Sequence, residues 1–109
     1  MPQFDVHRNP GPQRDTVPLV VVVQSSLFEG YRRRVVVPLV RRSALPAGGR
    51  VAGTRMNPLF AVAGQTVVLH PLDMVSVALD QLGPVVGNLA EQGQAITDAL
   101  DELLTRSWG

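Results

Sequence analysis

Two valine-rich segments limit what this chain can fold into more than any other feature of the sequence. Residues 19–24 read LVVVVQ, a continuous β-branched run that is typical of a central strand buried on both faces. Residues 33–40 read RRVVVPLV and predict a second long strand. Pro38 has no amide proton to donate, which indicates an edge or a bulge in that strand. Together the two segments predict an antiparallel pair with a long connecting loop.

Shorter segments predict further strands around this pair. Residues 3–7 (QFDVH) alternate apolar and polar side chains, as in a strand with one buried face. Residues 59–63 and 66–70 flank Gly64-Gln65, a two-residue link that suits a tight hairpin. The motif VSVAL continues the extended pattern further along the chain. We therefore expect a sheet of several short antiparallel strands.

The end of the chain, residues 88–109, predicts a single amphipathic helix. At about 100° per residue its apolar side chains fall on one face: Leu89, Ile96, Ala99, Leu100, Leu103 and Leu104. Asn88 and Glu91 have the spacing of a capping box at the start of this pattern. Strands followed by one helix predict a mainly β fold, an antiparallel barrel over residues 1–83 with the C-terminal α-helix packed on it.

The composition is that of one globular domain. The chain has 109 residues, of which 45% are hydrophobic and 17% charged, enough apolar content for one small core. It has no cysteine, which excludes a disulfide framework and thiolate metal sites and fits a reducing cytoplasm. The longest apolar run, residues 17–23, is too short to span a bilayer, and no signal-peptide pattern precedes it. We expect a single cytoplasmic domain over residues 1–109 with no membrane contact.

Charge is distributed unevenly along the chain. All ten basic residues are Arg, and the net charge is +1. Residues 88–109 carry four acids and one Arg, whereas residues 1–87 carry nine Arg and five acids. This pattern predicts an acidic helix on a mildly basic body. The basic excess is smaller than that of most nucleic-acid-binding proteins.

The single tryptophan, Trp108, is the penultimate residue of the sequence. If the helix continued that far, its ring would lie at the edge of the apolar face, four residues after Leu104. Two interpretations stay open here. The ring either caps the core or projects outward as an aromatic anchor, the kind of residue that dominates binding energy at protein interfaces.

Candidates for catalysis are few. His70, Asp73, Arg55 and the arginines at 32–34 are the side chains that could move protons or bind a phosphate. Their spacing does not show that they converge, and the default interpretation is a histidine in a surface turn and a solvated arginine edge. His7 and His70 are far apart in sequence and have no cysteine to join them in a metal site. We expect no metal and no cofactor.

Five segments, in the same order, resemble the CcdB family of bacterial toxins. They are residues 21–39 (VVVQSSLFEGYRRRVVVPL), Asn57-Pro58-Leu59, the Gly64-Gln65 turn, residues 73–83 (DMVSVALDQLG) and the helix that leads to Trp108-Gly109. The resemblance covers almost the whole chain. It implies the SH3-like antiparallel barrel with a C-terminal helix that CcdB and MazF toxins share, assembled as a two-fold homodimer.

The resemblance also implies a function. Characterised CcdB toxins poison DNA gyrase: the dimer enters the gyrase A-subunit dimer, and the terminal Trp stacks there and traps the cleavage complex. A CcdA-like antitoxin neutralises the toxin, and the toxin–antitoxin complex represses their operon by binding operator DNA. Such a toxin acts by recognition and needs no bond-making side chain, so the resemblance implies that the chain is not an enzyme.

Two sets of site residues follow from the resemblance. The implied gyrase contacts are Trp108, Gly109, Asp101, Leu27 and Phe28. Asp101 occupies about the register of a polar residue that faces gyrase, although an exposed acid on a helix also serves simply for solvation. The implied antitoxin contacts are basic, so that charge attraction speeds association with an acidic partner: Arg8, Arg14, Arg41, Arg42 and Arg50.

Two alternative functions stay open. A MazF/Kid-like endoribonuclease on the same barrel would use a charged cluster, such as His70 with Arg55, to deprotonate a 2′-hydroxyl. A non-toxic CcdB-like homologue would bind an antitoxin without acting on gyrase. The family poisons end Trp-Gly-Ile, and the absence of an apolar residue after Gly109 favours this second alternative.

Overall fold

The computed structural model describes residues 3–45 and 52–105. In this part of the chain seven strands form one antiparallel sheet, and one α-helix follows them. The strands are β1 (Asp5–Arg8), β2 (Leu19–Val22), β3 (Arg33–Arg41), β4 (Leu59–Val62), β5 (Gln65–Leu69), β6 (Val75–Ala78) and β7 (Val85–Asn88), and the helix is α1 (Gly93–Leu104). The predicted mainly β fold with a C-terminal helix is confirmed.

Strand β3 organises the sheet. One edge of β3 pairs with β2, in a register that places Leu39 opposite Leu19 and Val36 opposite Val22. The other edge pairs with β6 along its first half and with β5 along its second half. The strand order is therefore β4-β5-β3-β2-β1-β7, with β6 beside β3. The predicted antiparallel pair of valine-rich strands is confirmed as the centre of the sheet.

Pro38 does not make β3 an edge strand or interrupt it. Its carbonyl accepts a hydrogen bond from the amide of His70 at 3.0 Å, on the side of β3 that faces β5 and β6. In an antiparallel ladder the amide and carbonyl of one residue point to the same side. The nitrogen of Pro38, which cannot donate, therefore faces the point where β3 changes its partner from β6 to β5. The sheet tolerates a proline there because no ladder hydrogen bond is lost.

The core lies between the concave face of the sheet and α1. Alternate residues of the central strands and two residues of the helix form one buried cluster: Val6, Leu19, Val21, Val37, Leu39, Phe60, Val67, Leu69, Leu89, Ile96 and Ala99. The next residue of β2, Val22, is also buried, at 1% exposure. The prediction that the LVVVVQ segment is buried on both faces is confirmed.

The predicted start of the helix at Asn88 is wrong. Asn88 ends β7, opposite Asp5 of β1. Its side-chain Nδ2 donates to the Asp5 carboxylate at 2.8 Å. Its side-chain oxygen accepts from the amide of Ala90 at 2.7 Å, so no capping box forms with Glu91. Strand pairing with β1 keeps this segment extended, and the α-helix begins only at Gly93. The predicted barrel boundary at residue 83 consequently omits β7.

The helix is shorter than the sequence pattern suggests. Its 12 described residues correspond to a rod of about 18 Å. Ile96 and Ala99 are fully buried, whereas Leu104 is 61% exposed. The last turn of α1 therefore lies outside the core and exposes the apolar side chain of Leu104 to solvent.

The predicted β4–β5 hairpin is confirmed, but its turn lies one residue earlier than predicted. Val62 pairs with Gln65, so the two turn residues are Ala63 and Gly64. Both have positive φ, 52° and 75° respectively, as a type I′ turn requires. This turn has the backbone twist that matches the flanking strands, which outweighs the cost of a left-handed alanine.

Candidate functional site

The loop between β2 and β3 presents apolar side chains to solvent. We call residues 25–32 the display loop. Leu27 is 87% exposed, Phe28 is 47% exposed and Tyr31 is 66% exposed. The Phe28 and Tyr31 rings meet edge to face, with centroids 5.8 Å apart. Clustered aromatic and aliphatic side chains of this kind are typical of interaction surfaces.

Polar contacts hold the display loop in place. Ser25 caps the short 3-10 turn Ser26–Phe28, because its hydroxyl accepts from the Leu27 amide at 3.2 Å. Gln24 spans the loop: its amide nitrogen reaches the Phe28 carbonyl at 3.2 Å and its oxygen accepts from the Val35 amide at 3.2 Å. The conformation that exposes the apolar side chains is therefore fixed by hydrogen bonds.

In the arginine run at 32–34, Arg32 and Arg33 are exposed, as a solvated edge requires, but Arg34 is buried. Arg34 is 4% exposed, and its guanidinium donates to three backbone carbonyls of the loop end: Glu29 at 2.8 Å, Arg33 at 3.0 Å, and Tyr31. Arg33 instead lies on the outer face and donates to the Ser76 hydroxyl and carbonyl, both at 2.8 Å. Strand alternation separates the two side chains.

The implied gyrase contacts are only partly within the described residues. Leu27 and Phe28 are exposed, as an interface requires, and Asp101 is exposed on the last turns of α1. Trp108 and Gly109 lie outside the described residues. The described part of this surface therefore consists of the display loop and the outer face of the helix end.

Four of the five implied antitoxin contacts can be placed. Arg8 and Arg42 are exposed, at the end of β1 and just after β3. Arg14 and Arg41 both bind the β1–β2 loop: Arg14 donates to the Gly11 carbonyl at 3.3 Å, and Arg41 donates to the Asp15 carbonyl at 3.0 Å. Arg50 lies outside the described residues.

A groove lies beside Arg8, on the face of the sheet opposite to the core. It has a volume of about 410 Å³ and lies between the β1–β2 loop and strands β2, β3 and β6. Its floor is apolar and consists of Val20, Val36, Pro38, Val75 and Val77. Its rim is polar and includes Arg8, Asn9, Gln13, Asp73 and Gln81. An apolar floor with a polar rim suits an extended peptide with alternating side chains.

The catalytic candidates are directed to different partners. His70 Nδ1 lies 3.4 Å from Asp73 Oδ2. Arg55 instead bridges to α1, with Nη2 3.6 Å from Asp98 Oδ1 and Nε 3.2 Å from Glu102 Oε2. The contacts of the described residues thus join His70 with Asp73 but give neither of them an arginine. Residues 3–45 and 52–105 also contain no group of three acidic or histidine side chains placed to hold a metal.

His7 has a structural position. It is 1% exposed, and its Nδ1 lies 2.8 Å from the Gly83 carbonyl. A carbonyl only accepts, so Nδ1 carries the proton. This bond ties β1 to the segment that precedes β7, so the role of His7 is structural.

The comparison with protein families decides the classification. The model described as "CcdB protein" matches residues 3–106. The chain belongs to the CcdB family. It is thus a toxin of a toxin–antitoxin system, and the suspected resemblance is confirmed. No curated protein matches this CcdB-family chain significantly.

Solved structures place the CcdB-family chain on the MazF fold. The "Mycobacterium tuberculosis toxin MazF-mt6" superimposes with a TM-score of 0.71 at 16% identity, over 95% of this chain and 99% of that chain. An "Endoribonuclease in complex with its cognate antitoxin from Mycobacterial species" has a TM-score of 0.70 at 15% identity, over 100% of this chain and 99% of that chain. At such identities the likeness concerns the fold alone.

Sequence reasoning missed Tyr31 as part of the display loop, and Gln24 and Arg34 as the side chains that bind its backbone. The signal for Arg34 was available, since alternation along β3 places residues 34 and 36 on one face and Val36 is clearly apolar. No sequence signal identifies the carbonyls that Arg34 binds, because their positions depend on how the loop folds back on the strand.

Proposed function

We propose that this CcdB-family toxin poisons DNA gyrase as a homodimer, by recognition and without catalysis. The observation that carries the proposal is the display loop, which exposes Leu27 and Phe28 at 87% and 47% while hydrogen bonds hold its backbone. In the proposed complex, Trp108 stacks in the gyrase A-subunit dimer and the display loop contacts the surface beside it. Buried aromatic and aliphatic anchors supply most of the binding energy in such an interface.

The charges of α1 are consistent with this proposal. Asp101 is exposed on the helix, while Asp98 and Glu102 are engaged by Arg55. Arg55 thereby fixes the helix end against the body, and Leu104 is left exposed next to it. A rigid helix end lowers the entropy cost of presenting the residues that follow it.

For the antitoxin we propose the groove beside the β1–β2 loop. Its apolar floor would take alternate side chains of an extended CcdA-like tail, and Arg8, Arg14, Arg41, Arg42 and Arg50 would attract the acids of that tail. Operator DNA would be bound only by the toxin–antitoxin complex. A cytoplasmic location stays a prediction. None of the helices in the described segments has the length and hydropathy to cross a bilayer.

The direct test is conditional expression in bacteria, with purified gyrase as the second assay. We expect wild-type chain to arrest growth and to stabilise cleaved DNA in a gyrase reaction, and we expect Trp108→Ala to do neither. Equal arrest by the wild-type chain and by Trp108→Ala would show that this mechanism is wrong.

A matched pair of leucine variants tests the display loop. Leu27→Ala removes an anchor, whereas Leu72→Ala removes a leucine that is 67% exposed in the Pro71–Asp73 turn. Both changes remove the same atoms from the surface, so both variants should be as stable as the wild type. We expect only Leu27→Ala to weaken gyrase binding; equal losses in the two variants would exclude a specific role for the loop.

An endoribonuclease is the second candidate, because the chain shares the fold of MazF toxins and because His70 contacts Asp73. This function predicts metal-independent cleavage of single-stranded RNA that survives Trp108→Ala and is lost in His70→Ala or Arg55→Ala. A third outcome would support the non-toxic homologue: no growth arrest and no RNA cleavage, but nanomolar binding to the product of an adjacent small gene.

A further inference from the structure

Arg34 is an unusual side chain for the interior of this protein. It is the second residue of β3, opposite Val77 of β6, and only 4% of it is exposed. Burying a guanidinium costs free energy unless its donors are satisfied. Here its two terminal nitrogens donate to the carbonyls of Glu29, Tyr31 and Arg33, all of which belong to or adjoin the display loop, whereas its buried Nε makes no hydrogen bond.

The display loop has no hydrophobic anchor of its own. Residues 25–33 contribute no buried side chain, so burial of apolar surface does not hold this segment. Apart from the Gln24 side chain, which donates to the Phe28 carbonyl, and the Ser25 cap, its backbone contacts are a few turn bonds, such as Phe28 to Ser25 at 3.0 Å and Tyr31 to Phe28 at 3.0 Å. A surface loop with so few contacts would ordinarily sample many conformations.

We propose that Arg34 is the positioning residue of the display loop: it binds the loop carbonyls from beneath and holds Leu27, Phe28 and Tyr31 in the arrangement that a protein partner recognises. The planar guanidinium can bind several carbonyls at once in a fixed geometry, which a lysine ammonium cannot reproduce. The loop is therefore ordered before the partner arrives, and the partner does not have to supply the ordering free energy.

This proposal rests on the proposed function only for the identity of the partner. The order of the loop is a property of the free toxin and can be measured without gyrase. The affinity for gyrase then reports whether that order matters for recognition. The two measurements separate a failure of the Arg34 proposal from a failure of gyrase binding.

The first measurement uses backbone ¹⁵N order parameters of the free protein. In the wild type we expect Phe28 and Tyr31 amides near about 0.85, and in Arg34→Met below about 0.6, while strands β2 and β5 keep wild-type values. Arg33→Met is the matched control, because Arg33 is the neighbouring arginine on the same strand and its side chain binds Ser76. We expect the loop of Arg33→Met to stay rigid.

Arg34→Lys distinguishes geometry from charge. It keeps the positive charge but loses the planar fork, so we expect a mobile loop in this variant as well. A loop that is as rigid in Arg34→Lys as in the wild type would overturn the proposal. If Arg34→Met and Arg34→Lys both lose the order of β2 and β5 as well, Arg34 serves the whole fold and the proposal is equally overturned.

The second measurement is binding to a purified gyrase A-subunit fragment. If the displayed conformation falls to about one tenth of the population, the apparent Kd rises about tenfold. We expect this rise in Arg34→Met and no change in Arg33→Met. Wild-type affinity in a variant whose loop is mobile would overturn the role in recognition. A wild-type chain without measurable gyrase binding would refute the proposed partner and leave the loop measurement to decide the proposal.

Discussion

Gly83 is the position at which a single methyl group should disturb this fold most clearly. Its amide donates to the Arg8 carbonyl at 3.1 Å, and its own carbonyl binds the buried His7 ring at 2.8 Å. A Cβ atom at residue 83 would lie 2.5 Å from the Arg8 carbonyl oxygen and 3.1 Å from its carbon. These are backbone atoms of β1, which cannot rotate away as a side chain could.

The cost of Gly83→Ala has two parts. Forcing the backbone of β1 and residue 83 apart is an overpacking strain of about 1–3 kcal/mol. The displacement also lengthens the His7 bond, and a ring nitrogen buried without an acceptor costs about 1–3 kcal/mol. We therefore expect Gly83→Ala to lower the free energy of unfolding by about 2–6 kcal/mol. For a domain of this size the Tm would fall by at least about 8 °C.

Gly30→Ala is the matched control, because no atom lies within 4 Å of the position that its Cβ would take. Urea denaturation of both variants measures the difference, and we expect Gly30→Ala to stay within about 0.5 kcal/mol of the wild type. A Gly83→Ala protein that loses less than about 1 kcal/mol, or one that matches Gly30→Ala, would refute the close approach of β1 and residue 83.

Three further predictions concern the helix, the hairpin and the surface. In urea denaturation, Ile96→Ala should lower the free energy of unfolding by about 2–5 kcal/mol and Leu104→Ala by less than about 1 kcal/mol. The reason is that the Ile96 side chain is fully buried, whereas Leu104 is 61% exposed. Similar losses in the two variants would contradict the helix orientation. Gly64→Ala should lower the free energy of unfolding by about 1–2 kcal/mol, since the φ of 75° at Gly64 is strained for any residue with a Cβ. An unchanged Tm in thermal unfolding would exclude the left-handed conformation of this turn residue. Arg55→Met should lower the free energy of unfolding by at most about 1 kcal/mol, because the ion pairs of Arg55 with α1 are partly exposed, and this difference should vanish in about 1 M salt. A larger loss of stability that persists in salt would indicate that the aliphatic part of Arg55 contributes by packing.

The candidate site was predicted unevenly. The family resemblance identified Leu27 and Phe28, and both are exposed in the structure. Strand alternation places Arg34 on the same face as Val36, but its contacts could not be predicted from the sequence, because only the folded loop supplies the carbonyls that its two terminal nitrogens bind. Likewise, the pairing of Arg55 with the acids of α1 joins segments more than 40 residues apart, and nothing in their sequence spacing indicates that contact.

The sequence by itself determined the strands with strong local patterns and the existence of one amphipathic helix. The LVVVVQ and RRVVVPLV segments pair as predicted, because β-branched side chains favour extended backbone and an apolar run of this kind is buried in the middle of a sheet. Only the tertiary structure decided where the helix begins, which residues turn the β4–β5 hairpin and which arginine is buried. Asn88 has a capping residue's chemistry, but pairing with Asp5 holds it in β7 and moves the helix start to Gly93. Local patterns indicate what each segment prefers. These three features depend instead on contacts between segments that are distant in the sequence, and such contacts exist only in the folded sheet.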